Sequence, residues 1–218
     1  MKLKVCGMKY NPGEVAALQP DYLGFIFWEP SARNFVGEIP ELPTTIKKFG
    51  VFVDASIKTV LDKVITYDLG AVQLHGKENA GYCKAIRDNI QKEGFEIIKV
   101  FSVNEDFDFG TLKDYEDVCD YFLFDTKGKL PGGNGYTFDW SLLNDYPSKK
   151  PFFLSGGIGL ESMEKLKDFL KSPASTYCHA IDVNSKFETK PGLKKTEALR
   201  AFKAQLIENR LIKTDNRS

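Results

Sequence analysis

The chain has 218 residues, 42% of them hydrophobic and 13% aromatic, which suits one domain with a substantial core and strains any division into two. Thirty basic residues balance thirty acidic ones, so nothing supports a nucleic-acid surface, an acidic tail or a membrane-binding face, and a small molecule is the expected partner. Four cysteines stand far apart with no C-x-x-C pair, no stretch approaches the roughly 20 apolar residues of a membrane span, and no signal-like segment opens the chain; a reduced cytoplasmic setting is expected.

In chain order, apolar runs rich in Val, Ile, Phe and Leu fall near 3–6, 22–27, 49–53, 71–75, 97–102, 121–125, 151–155 and 179–184. They lack strict alternation, as expected of strands covered on both faces. Helical patterns lie between them. SIKTVLDKVITYD at 56–68 places Ile57, Val60, Leu61, Val64 and Ile65 on one stripe, and LESMEKLKDFLKS at 160–172 does so with Met163, Leu166, Phe169 and Leu170. The Pro- and Gly-rich stretch EPSARNFVGEIPELP after Phe27 reads as a long loop, its PELP region leading into a short helix. FDFGTLKDYEDV at 107–118 is poorly periodic, and any helix after Trp140 must end before Pro147. Alternating strand and helix without a composition break predicts one α/β domain, a closed (β/α)8 TIM barrel over residues 1–212, with a polar tail at 213–218. A doubly wound open sheet is the alternative, disfavoured because no G-x-G-x-x-G follows the first strand.

In a parallel barrel all strands aim their C-terminal ends at one face, so residues there converge. Ser155-Gly156-Gly157 ends the seventh strand and Asp182-Val183-Asn184-Ser185 the eighth. Backbone amides uncrowded by Cβ atoms, with a hydroxyl and a helix N-terminus, can wrap a phosphate. Either loop alone reads as a tight turn; paired on the last two strands, Gly156, Gly157, Asn184 and Ser185 read as a phosphate site. Gly132-Gly133-Asn134-Gly135 reads equally as a flap over a ligand and as an exposed connector.

Cys6 and Asp125 are the acid–base candidates, at strand ends on opposite sides of the barrel with room for a sugar between them. A lone cysteine in an apolar strand is usually core, but Gly7 marks a strand end; a carboxylate after YFLF is costly to bury unpaired. Cys83 and Cys119 read as structural. His75 ends its strand and is a site candidate, whereas His179 begins its strand and belongs to the opposite, stability face. No ligand pair has helix or knuckle spacing, so no metal site is expected. Arg33 suits a carboxylate clamp as well as a solvated surface arginine. Asp54 and Gln73 either orient neighbours in the barrel mouth or simply hydrogen-bond in its polar upper layer.

KVCGMK at 4–9, GFIFWEPSARNF at 24–35, GVFVD at 50–54, VQLHG at 72–76, FLFDT at 122–126, GGNGYTFDW at 132–140, FFLSGGI at 152–158 and DVNSKFE at 182–188 together resemble the phosphoribosylanthranilate isomerases of tryptophan biosynthesis. The resemblance spans essentially the whole chain, in order. It implies a cofactor-free isomerase performing an Amadori rearrangement of N-(5-phosphoribosyl)anthranilate to 1-(2-carboxyphenylamino)-1-deoxyribulose 5-phosphate. Cys6 then matches the general base, Asp125 the general acid and Arg33 the arginine that holds the anthranilate carboxylate. His75, Gly132, Gly133 and Asp182 are expected at the substrate, and Gly156, Gly157, Asn184 and Ser185 at its phosphate. Two departures stand out: Ser-Ala-Arg replaces the common Ser-Pro-Arg before Arg33, and Asn184 and Lys186 replace a serine and a glycine. An acid at neutral pH requires Asp125 raised from about 3.9, and a base requires Cys6, from about 8.5, in positive or amide-rich surroundings. The alternatives are a phosphosugar isomerase of histidine biosynthesis, against which Cys6 argues, and a non-catalytic phosphate-ligand-binding barrel, against which the intact Cys6, Asp125 and Arg33 set argues. Monomer and homodimer are equally open.

Overall fold

Eight parallel strands, β1 (Lys2–Val5), β2 (Tyr22–Ile26), β3 (Lys47–Phe52), β4 (Ala71–Leu74), β5 (Glu96–Val103), β6 (Tyr121–Thr126), β7 (Phe152–Leu154) and β8 (Cys178–Val183), close into a barrel in sequential order. β8 pairs with β1 in the register Lys4↔Asp182 and Val5↔Val183. This computed structural model describes residues 1–126 and 139–212. The glycine run at 132–135, with Gly132 and Gly133, and the tail at 213–218 lie outside the described residues.

Strand alternation sorts the side chains between two cores. Leu3, Val5, Phe122, Phe124, Phe152 and Leu154 face outward, beneath the surrounding helices and loops. Inside the barrel, Tyr22, Phe49, Ala71, Ile98, Leu123, Phe153 and Ala180 form an apolar plug, with the Tyr22 ring 5.0 Å from Phe49 and 5.6 Å from Phe153. Two residues further along the strands the interior turns polar, with Lys4, Gln73 and Asp182, and then opens at Cys6, His75, Asp125 and Ser155. At the other end His179 Nε2 meets the Tyr22 hydroxyl at 2.7 Å, and Lys2 donates to that hydroxyl at 2.8 Å, which places His179 away from the mouth as expected.

The crossovers carry less regular helix than their number suggests. The α-helices are α1 (Pro12–Ala16), α2 (Ile57–Tyr67), α3 (Ala80–Asn89), α4 (Met163–Phe169) and α5 (Thr196–Glu208). Ser56 starts α2 by accepting from Thr59 N at 3.1 Å, and Asn79 starts α3 by accepting from Tyr82 N at 2.8 Å. Val60 and Val64 carry the buried face of α2, but Ile65 is 80% exposed. At 100° per residue it lies beyond the edge of an arc centred on Val60 and Val64, so the buried stripe is narrower than the sequence suggests.

No helix forms after PELP, contrary to expectation. β3 begins at Lys47, with only three residues between it and Pro43, so there is no room for a helix, and only a turn from Ile46 N to Pro43 O closes there, at 2.9 Å. The segments Phe109–Tyr115 and Trp140–Asp145 are 3₁₀ turns, the second ending before Pro147. After β8 a 3₁₀ turn, Ser185–Phe187, leads into a hairpin of β9 (Glu188–Lys190) and β10 (Leu193–Lys194) lying across the mouth side of β1. No described helix is long and apolar enough to cross a membrane.

Candidate active site

The strand ends bring Cys6, His75, Asp125, Gly156, Gly157, Asp182, Asn184 and Ser185 to the lining of one cavity in the barrel mouth. Cys6 extends β1 by one residue, its amide donating to Val183 O at 2.8 Å. Gly24 on β2 gives the thiol its space: a Cβ there would stand 2.8 Å from Cys6 Sγ. Burial pushes the thiol above its ordinary value, against the opposing pull of Lys4, Lys194 and the Gly7 amide. The positive and amide-rich surroundings expected of a base are therefore present, but burial outweighs them, and the resting group is a thiol.

Asp125, opposite on β6, follows four buried or half-buried apolar residues that leave it little water. Burial raises it to about 6, opposed by the Thr126 amide and helped by the charge of Asp182. The Thr126 amide donates to Oδ1 at 2.9 Å, and His75 Nε2 stands 3.5 Å from Oδ2. His75 is itself held down to about 4, by burial first and then by the positive charges of Lys99 and Lys4.

Beneath these groups lies a residue the sequence reading did not single out. Lys4, wholly buried, donates to Gln73 Oε1 and to Asp182 Oδ2, each at 2.8 Å. Burial alone would lower its pKa, but the charge and hydrogen bond of Asp182, joined by Cys6 when that thiol ionises, more than offset this and keep the ammonium intact. Asp182 Oδ1 is buried without a hydrogen-bond partner among the described residues, an acceptor suited to a ligand hydroxyl. The signal was present in KVCG: Lys4 and Cys6 are two apart on one strand and so share the interior face. Asp54 and Gln73 also separate here. Asp54 is exposed at the rim, accepting from Lys77 N at 2.6 Å, while Gln73 belongs to the buried layer.

The loops after β7 and β8 flank the mouth. Gly156 has φ +93° and packs directly against Thr126 and Asp125, so any side chain there would strike the neighbouring strand end. Asn184 precedes the 3₁₀ turn, its Oδ1 accepting from Lys194 Nζ at 2.7 Å. Lys186 pairs with Glu161 at 2.7 Å, joining the two loops at their rim.

Arg33 stands at the edge of this arrangement rather than in the cavity lining. Its Nε and Nη2 donate to the Glu188 carboxylate at 2.7–3.0 Å. Glu188 in turn accepts from Lys194 Nζ at 2.8 Å and from Gly192 N at 3.1 Å. A Cβ on Gly7 would lie 2.8 Å from Arg33 Cδ and 2.5 Å from Asn184 Oδ1, so the Arg33 loop and the β8 loop meet over that glycine. Glu188 and Lys194 were also missed as site-forming residues, although Glu188 closes the DVNSKFE motif.

A family model described as N-(5'phosphoribosyl)anthranilate (PRA) isomerase matches residues 4–205. The N-(5'-phosphoribosyl)anthranilate isomerase of Parabacteroides distasonis is 43% identical over 216 residues, covering 95% of this chain and 94% of that protein. The crystal structure of phosphoribosyl anthranilate isomerase from Thermus thermophilus superposes with a TM-score of 0.79 at 26% identity, covering 95% and 99% of the two chains. A second crystal structure, of phosphoribosyl anthranilate isomerase in complex with reduced 1-(o-carboxyphenylamino)-1-deoxyribulose 5-phosphate, superposes with a TM-score of 0.71 at 27% identity, covering 93% of this chain and 96% of the other.

Proposed function

The chain belongs to the N-(5'-phosphoribosyl)anthranilate isomerase family, and from that premise we propose that Asp125 and Cys6 carry out its Amadori rearrangement as general acid and general base. The protein is an aldose–ketose isomerase of tryptophan biosynthesis, acting on a phosphosugar joined to anthranilate. The observation that supports the role assignment is the placement of a buried thiol and a carboxyl held up to about 6 on facing strands of one mouth.

The reaction has two proton transfers. Asp125 gives its proton to the ribose ring oxygen as the C1–O bond breaks, and the anilino nitrogen's electron pair forms an iminium at C1. Cys6 then takes the proton from C2, and the freed pair flows toward the iminium nitrogen, leaving an enolamine that tautomerises to the ketose. The iminium makes the C2 proton acidic and places a positive charge beside the thiolate, offsetting the burial that disfavours it in the resting protein. Gly156, Gly157, Asn184 and Ser185 hold the phosphate chiefly through backbone amides, and Asp182 Oδ1 accepts a sugar hydroxyl. Arg33, held by Glu188, meets the anthranilate carboxylate at the mouth's edge.

Generating phosphoribosylanthranilate in the cuvette and following its fluorescence tests the reading. Rapid loss is expected with wild type. Cys6→Ser and Asp125→Asn should each lose roughly 10²–10⁴-fold in kcat. Near-normal turnover in either variant would remove that residue from its role.

A further inference from the structure

The two proton transfers make no use of Lys4 or Gln73, although both lie buried in the layer beneath the mouth, Lys4 two residues below Cys6 and Gln73 two below His75. An ammonium offers no acceptor, so the Gln73 atom 2.8 Å from Lys4 Nζ is the carbonyl oxygen, and Nε2 is left as a donor. That nitrogen lies 3.3 Å from His75 Nδ1, which must accept. His75 is faced by Lys99 of β5, Lys4 of β1 and Asp125 of β6, and burial with the two positive charges keeps the ring neutral. Its single proton therefore sits on Nε2, the atom facing Asp125 Oδ2 at 3.5 Å.

We propose that Lys4 is a positioning residue of this site: through Gln73 it fixes His75 as the Nε2–H tautomer, which presents a hydrogen-bond donor to the carboxylate that Asp125 becomes on giving up its proton. The inference deepens the reading above and rests on Asp125 being the acid. At 3.5 Å the contact is long for a hydrogen bond and has room to shorten. In the working form Asp125 is protonated, and a bond that is stronger to the carboxylate it becomes than to that starting acid lowers the barrier instead of merely strengthening substrate binding. Lys4 suits this task because its second bond, to Asp182 across the β1–β8 seam, leaves it no freedom to release the amide.

The tautomer can be read directly from two-bond ¹H–¹⁵N imidazole correlations of labelled protein at neutral pH. The chain has two histidines, and His179→Gln, a change at the far end of the barrel, removes the other set of signals. His75 is expected to carry its proton on Nε2. Gln73→Glu keeps an oxygen for Lys4 but offers His75 an acceptor in place of a donor, so the ring should become Nδ1–H or doubly protonated. Its kcat should fall by about tenfold or more, with affinity for the reduced product analogue within about threefold of wild type. Wild-type His75 protonated on Nδ1, or Gln73→Glu turning over as wild type, would overturn the proposal. The wild-type spectrum requires no variant to fold, so misfolding of Gln73→Glu leaves that measurement decisive. Asp125→Asn assayed alongside separates the two ideas: near-normal turnover there removes the acid assignment, and the tautomer spectrum alone then decides the Lys4–Gln73–His75 arrangement.

Discussion

At neutral pH the two groups assigned to proton transfer rest in the states opposite to those they need. Asp125, held up to about 6, is mostly ionised, and Cys6, pushed up by burial, is mostly thiol. The working form, acid protonated and base ionised, differs from the resting form only by moving one proton between them. Its fraction is therefore independent of pH between the two pKa values. Below about 6 both groups hold protons and the base is lost; above the thiol's value both have released them and the acid is lost. The profile of kcat/KM, which reports the free enzyme, should rise with pH through about 6 and then stay level across neutrality. A rate that fell as pH rose through 6 would contradict the assignment.

The hairpin of β9 and β10 does at the element scale what Lys4 does at the residue scale. Glu188 on β9 grips Arg33, from the loop after β2, while Lys194 on β10 grips both Glu188 and Asn184 of the proposed phosphate loop. On the proposed assignment, one small element thus supports the residues at both ends of the substrate. Glu188→Gln would leave Lys194, whose side chain is fully buried, and the mostly buried Arg33 without their shared counter-charge. Breaking a buried pair by removing one partner costs about 3–5 kcal/mol. The variant should lose stability of about that size in urea titration and show a raised KM, whereas Arg33→Ala should raise KM with a smaller loss of stability. An unchanged KM in both would detach the hairpin from substrate binding. Little of this was legible beforehand. The strands announced themselves because both faces are covered and their sequences are apolar throughout, and the strand-end residues followed from the barrel geometry. Lys4, Glu188 and Lys194 were passed over because charged side chains ordinarily mark solvent: the spacing of Lys4 and Cys6 places both on one face of β1, but the burial of these charges comes from the closure of β8 against β1 and the fold of the hairpin, which are not local. Ile65 misled in the opposite direction: it fits a helical stripe but lies just past its buried edge. PELP misled because its prolines permit a helix start, but the chain enters β3 at Lys47 before a helix could follow.

For the whole molecule, holding the acid in a dry site has a thermodynamic consequence opposite to its catalytic one. The folded pKa of Asp125 is about 6 against an ordinary 3.8, so between these values the folded state binds more protons than the unfolded one, and stability falls as pH rises through that window. About two pKa units correspond to roughly 3 kcal/mol, fully expressed above pH 6 and absent below about 4. His75 and His179, both held down to about 4 chiefly by burial, act in the reverse sense, with stability lost as pH falls from their ordinary 6.5 toward 4. The net profile of the wild type alone would mix these contributions, but the difference between wild type and Asp125→Asn reports the carboxyl together with its coupling to His75, because the distant His179 is common to both. The variant should be more stable by up to roughly 3 kcal/mol above pH 6, seen as a Tm raised by roughly 2–4 °C for each kcal/mol, and the difference should vanish near pH 4. Equal stability at every pH would mean that the carboxyl sits in a wetter site than its neighbours on β6 imply. A difference of the expected sign, in a variant that no longer turns over, would place the stability cost of the fold on the group that the reaction needs protonated.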